Sequence, residues 1–263
     1  MGTILQGGHV KRALILLYGT VAYFAFFGTF VYFIGFVGNL TPVAIDSPRQ
    51  SPLAAAFFVN LALVVLFAAQ HTIMARKPFK RWISRHIPYA VERSTFVLAA
   101  TLLLALMMWQ WQPLGGTVWE VTTPALRALL YGFYAFGWVL LFAASFAINH
   151  FDLFGLRQAW LGFRRMPYTP IQFRNPWLYR QVRHPLYLGF FLGLWATPTM
   201  TVTHMVLAAG LTAYTFFGVG LEERDLVVDH PEYEVYRETV PMFVPGLRRA
   251  AAVPDKGLSQ ADA

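Results

Sequence analysis

The sequence predicts an all-α, polytopic integral membrane protein of about six helical spans, the last two a helical hairpin. Three observations predict it. The 263 residues are 57% hydrophobic and only 13% charged, against about 25% in ordinary soluble domains. Apolar runs near the roughly 20 residues needed to cross a bilayer recur along the chain. Lys and Arg gather in alternate connections, as they do on the cytoplasmic side of membrane proteins.

Span one covers about 13–38, after Lys11 and Arg12. That run is too long for a signal-peptide core and has no small-x-small site before a polar mature chain, so it is read as a retained span. Spans two, three and four cover about 53–75, 94–111 and 125–148. The next apolar stretch, 186–221, has 36 residues, too many for one crossing. It is interrupted at Pro198, which removes a backbone donor, and is therefore divided into arms at 186–200 and 203–221. Residues 1–249 are expected to form one membrane-embedded domain, and the small, polar tail 250–263 to be disordered.

Loop 76–93 carries Arg76, Lys77, Lys80, Arg81, Arg85 and Arg93, and segment 150–185 carries six arginines. Loop 39–52 has only Arg49, and loop 112–124 has no basic residue. Both basic connections are therefore expected in the cytoplasm, together with both termini. The net charge of +8 is matched to anionic lipid rather than nucleic acid, because the cations flank apolar spans. With no cysteine, disulfides, thiolate metal sites and Cys nucleophiles are excluded. The seven histidines show no ligand spacing, so no metal is expected, and the oligomeric state is not legible.

Chemistry concentrates around the hairpin. In Arg183-His184-Pro185-Leu186-Tyr187-Leu188-Gly189, the residue before proline avoids the α region and proline favours the first helical position. His184 should therefore sit just outside a helix whose free N–H groups suit an anion. On residue types alone, the plainer reading is that Arg183 and His184 anchor a helix at the headgroups. Glu222 and Glu223 close the other arm, where carboxylates oppose the helix macrodipole. They call for a positive partner or ribose hydroxyls, or else form an arginine–glutamate network tying the hairpin ends. Tyr233, Tyr236 and Val240 fall at helical spacing after His230-Pro231, which is the pattern of packing residues.

Together, R-H-P-x-Y-x-G at 183–189, E-E-x-x-L at 222–226 and Tyr-x-x-Tyr before Val240-Pro241 resemble the isoprenylcysteine carboxyl methyltransferase superfamily. Gln70-His71, the run from Asn149 to Gln158 and Trp195 to Thr201 further resemble the bacterial methanethiol S-methyltransferases. The likeness covers about residues 60–245. It implies S-adenosyl-L-methionine (SAM) as cofactor, a cytoplasmic C-terminal cofactor site, a small thiol substrate and a bacterial inner-membrane enzyme. It also implies a reaction that turns methanethiol into dimethyl sulfide and S-adenosylhomocysteine. A prenylcysteine-like, lipid or other thiol acceptor is the alternative, and a carrier or channel without activity is the third reading.

The resemblance carries cofactor contacts to Arg183, His184, Tyr187, Gly189, Glu222, Glu223 and Tyr236. Methyl transfer to sulfur needs aligned reactants, a dry site and a thiolate, so a base or a positive field would help. His71, His150, Asp152 and Arg157 are the catalytic candidates, and Gln70 and Asn149 the substrate-binding ones. Each alone could be a capping or snorkelling group.

Overall fold

The computed structural model describes residues 8–48, 51–171 and 174–246; the tail expected to be disordered lies outside them. In chain order the helices are α1 (His9–Val37), α2 (Leu53–Ala75), α3 (Lys77–Ile83), α4 (Tyr89–Gln110) and α5 (Pro124–Ile148). There follow α6 (His150–Leu153), α7 (Leu156–Arg164), α8 (Pro185–Trp195), α9 (Val202–Asp229) and α10 (Glu232–Thr239). Among the described residues, α1, α2, α4, α5 and α9 are long and apolar enough to cross a membrane, and α8 is a shorter apolar helix. The chain is a multi-pass membrane protein. Large apolar side chains such as Leu14, Val21, Phe24, Phe58 and Val139 point outward, which is stable only where lipid replaces water.

Helix α1 packs on α4 and α7, α2 on α4 and α9, and α5 along α8. The principal core lies towards one end of the bundle, where Phe33, Phe36, Met107, Trp111, Trp138, Leu194 and Leu207 are buried together. The α5–α8 seam is closed by glycines. A Cβ on Gly137 would stand 2.7 Å from Gly189 O and Gly193 N, and one on Gly189 would stand 2.5 Å from Gly137 O. Small residues let helix backbones meet where no hydrophobic drive is available between apolar spans.

One feature is not legible in the sequence, and one expected as short proves shorter still. Thr117–Glu120 (β1) pairs antiparallel with Thr199–Thr201 (β2), with Thr117 opposite Thr201 and Glu120 opposite Thr199. The ribbon recruits β-branched and aromatic residues from what reads as a plain loop and from the end of the first hairpin arm. That arm, expected to reach residue 200, is helical for only eleven residues. It rises about 16 Å, roughly half of a hydrocarbon core.

The opposite end holds the basic connections. Arg76 pairs with Asp225 at 2.9 Å and Lys77 with Asp229 at 2.6 Å, so the turn after α2 is fastened to the C-terminal end of α9. The mouth of the hairpin and the first basic loop therefore share one end of the molecule.

Candidate active site

The hairpin mouth is built around Glu223, which is buried. Its Oε1 accepts from Arg183 Nε at 2.8 Å, from His184 Nε2 at 2.9 Å and from the Tyr233 hydroxyl at 3.2 Å. Arg183 Nη1 donates to Arg237 O and Val240 O, and the Arg183 and His184 amides donate to Pro241 O and Met242 O. A buried carboxylate with this many donors is well compensated. The backbone sets it up. His184 sits at φ −125°, ψ 62°, outside a helix whose first residue is Pro185, and Tyr233 comes from α10, which packs against α9. Burial, and after it the Glu223 carboxylate, raises the Tyr233 phenol well above its usual range, which keeps it a neutral donor.

Beside this knot opens a cavity of about 620 Å³, lined by Asn149, His150, Arg174, Tyr179, Arg183, His184, Tyr187, Glu222, Tyr233 and Tyr236, with apolar residues from α5 and α8. Glu222 presents its carboxylate there. One oxygen accepts from the Tyr187 hydroxyl at 2.9 Å, and the other has no partner among the described residues. Arg174 is likewise without a hydrogen bond or ion pair among them. Tyr179 rides on a 3₁₀ turn, Trp177–Arg180, whose Tyr179 carbonyl takes the Tyr236 hydroxyl.

The far wall is the turn after α5. Asn149 has φ 131°, a region side chains rarely adopt, and its side chain caps α6 by accepting the Asp152 amide. That turn swings His150 inward. Its Nδ1 meets Ser145 Oγ at 2.8 Å, its Nε2 meets the Tyr23 hydroxyl at 2.9 Å, and its ring stacks on Phe146. Burial pushes the imidazole pKa down, and both nitrogens are occupied, which makes His150 a fixed wall rather than a free base. Asp152 is paired with Arg157 at 2.8 Å and with the Tyr168 hydroxyl at 3.2 Å. Arg157 also holds the Thr169 carbonyl.

Of the sequence candidates, Asn149, His150, Arg183, His184, Tyr187, Glu222 and Tyr236 line the cavity. The rest do not. Glu223 sits behind it as the knot, Gly189 faces α5, and Asp152 and Arg157 brace the 168–169 segment. Gln70 and His71 belong to α2, where His71 packs against Phe96 and Tyr214. Arg174, Tyr179 and Tyr233 line the site without being site candidates in the sequence: there Arg174 is one of several arginines that could pair with the hairpin glutamates, Tyr233 has the spacing of a packing residue, and Tyr179 belongs to no motif.

The donor set fits a charged nucleoside such as SAM. Glu222 suits ribose hydroxyls, Arg174 a carboxylate, and Tyr179, Tyr187 and Tyr233 offer aromatic surface to a sulfonium or a base. The volume lies within the usual range for small-ligand sites, about 300–1,000 Å³.

A family profile described as NnrU protein matches residues 59–251, more than half of the sequence. The chain belongs to the NnrU family. A methanethiol S-methyltransferase of Crocosphaera subtropica is 47% identical over 92% of this chain and 95% of its own length. Methanethiol S-methyltransferase 2 of Bradyrhizobium diazoefficiens is 48% identical over 90% of this chain and 92% of its own. Nurim of Bos taurus is 30% identical, covering 81% and 90% respectively. No solved structure matches. In this NnrU-family chain the matched span contains the whole cavity lining, which runs from Phe146 to Tyr236.

Proposed function

We propose that the protein is a membrane methyltransferase that S-methylates methanethiol with SAM, at the cytoplasmic face of a bacterial inner membrane. The observation that carries the reading is the juxtaposition of the two hairpin ends around one cavity, with Tyr187 bonded to Glu222, in a chain nearly half identical to methanethiol S-methyltransferases over most of its length. The basic connections at the cavity end support the cytoplasmic orientation.

Glu222 takes the ribose, Arg174 and the α8 N-terminus take the carboxylate, and the tyrosines flank the sulfonium. Bound there, SAM supplies a methyl group on a sulfonium whose sulfur departs as a neutral thioether. The chain contributes alignment and exclusion of water rather than covalent chemistry.

Purified protein given SAM and methanethiol should release dimethyl sulfide, detected by gas chromatography. Glu222→Gln should weaken S-adenosylhomocysteine binding by about tenfold or more, since a hydrogen bond to a charged group contributes about 1.5–3 kcal/mol. Undiminished affinity in that variant removes Glu222 from the cofactor site. Absence of thermal stabilisation by S-adenosylhomocysteine favours a carrier instead.

A further inference from the structure

Behind the cavity wall lies a cation that the cofactor site leaves unused. Arg93 on α4 gives its Nε–H to the Leu153 carbonyl at 2.7 Å and lays its guanidinium over the Phe96 ring, 4.7 Å from the centroid. Its two Nη groups make no hydrogen bond and no ion pair among the described residues. The acidic groups nearest in influence are Asp152 and Glu92, and Asp152 is already committed to Arg157. A half-buried guanidinium with four N–H donors unspent is open to an anion, with which it forms strong charge-assisted hydrogen bonds.

On the facing helix α2 the Nδ1 of His71 is buried and has no hydrogen-bond partner among the described residues. The His71 ring packs on the same Phe96 that carries the guanidinium, 4.8 Å between centroids, with Phe67 and Tyr214 closing around it. Leu153, whose carbonyl holds Arg93, also lines the cavity. A cation, an acceptor nitrogen and aromatic walls thus gather around Phe96, joined to the cavity wall through the Leu153 carbonyl.

We propose that Arg93 and His71 form the acceptor subsite, which binds a small alkanethiol as its thiolate. In its Nε2–H tautomer His71 takes the S–H proton on Nδ1, the S–H bonding pair stays on sulfur, and the Arg93 amino groups hold the resulting anion. Phe67, Phe96 and Tyr214 enclose the alkyl group. After the sulfur loses its negative charge, the imidazolium and guanidinium are left facing each other, and their repulsion returns the proton to water. This assignment rests on the methyltransferase reading.

The test separates the two. Thermal stability in detergent is measured with S-adenosylhomocysteine alone and then with methanethiol added, for the wild type, Arg93→Gln, Arg93→Lys and His71→Phe. The wild type should show both shifts. Arg93→Gln should keep the first, lose the second, and fall in kcat/KM for methanethiol on the order of a hundredfold, the scale of removing one anion-stabilising donor. Arg93→Lys should recover part of the loss, and His71→Phe should also keep the first shift while losing rate. A wild type without the S-adenosylhomocysteine shift overturns the methyltransferase reading itself. With that shift present, an Arg93→Gln protein that retains the methanethiol shift and wild-type kcat/KM overturns the subsite, and so does one that is folded but has lost the S-adenosylhomocysteine shift.

Discussion

Glu222 and Glu223 are adjacent and chemically alike, yet the helix turns them to different tasks. Glu223 faces Arg183, His184 and Tyr233 and holds the hairpin ends together, whereas Glu222 faces the cavity. Both roles are readable in the sequence as alternatives for the pair, but which residue takes which depends on about 100° of rotation per residue, and only packing against α8 and α10 fixes it. Gly189 shows the same limit. Its sequence position suggests close approach, and the structure identifies the approaching group as the α5 backbone. Gly189→Ala should therefore lower thermal stability, by about 1–3 kcal/mol for an overpacked seam, whereas Gly218→Ala, with nothing within 4 Å of the added carbon, should leave it almost unchanged. His150 offers a pH test. Burial lowers its folded pKa below the unfolded value of about 6.5. Its contribution is therefore present above about pH 6.5 and is lost as pH falls through the lowered folded value. Melting temperature should drop as pH falls below about 6.5, and His150→Gln should flatten that drop.

Among the elements, the long apolar helices were legible because about 20 consecutive apolar residues between charged loops fit little besides a bilayer crossing. The β1–β2 ribbon was not, since strands of three and four residues carry too little periodicity to stand out. It matters to α9. Thr201 ends the ribbon, caps α9 by accepting the His204 amide at 3.0 Å, and donates to Asp46 at 2.6 Å. Thr201→Ala should cost about 1 kcal/mol, as lost N-caps do, seen as a lower melting temperature. S-adenosylhomocysteine affinity should be unchanged, because the cavity lies at the other end of the hairpin. A like-sized drop in affinity would mean that the two ends are coupled through α9.

For the whole molecule, the arrangement of basic connections predicts an orientation that the chain's own composition makes easy to check. There is no native cysteine, so single cysteines can be introduced without a background. A cysteine replacing His86, in the first basic connection, should react in intact cells only with permeant reagents. One replacing Val43, in the connection after α1, should react with impermeant maleimide as well. The reverse pattern would place the cavity outside the cytoplasm.

The knot at the hairpin mouth bears on how the protein can be cut and tagged. Pro241 and Met242 supply the carbonyls that accept the Arg183 and His184 amides, and Phe243 packs on His184, Phe191 and Phe216. Pro241, Met242 and Phe243 are thus a clasp on the cavity-facing turn rather than a dispensable appendage. Shortened versions ending before Phe243 would leave that clasp open, whereas a reporter fused after Gly246 would leave it shut.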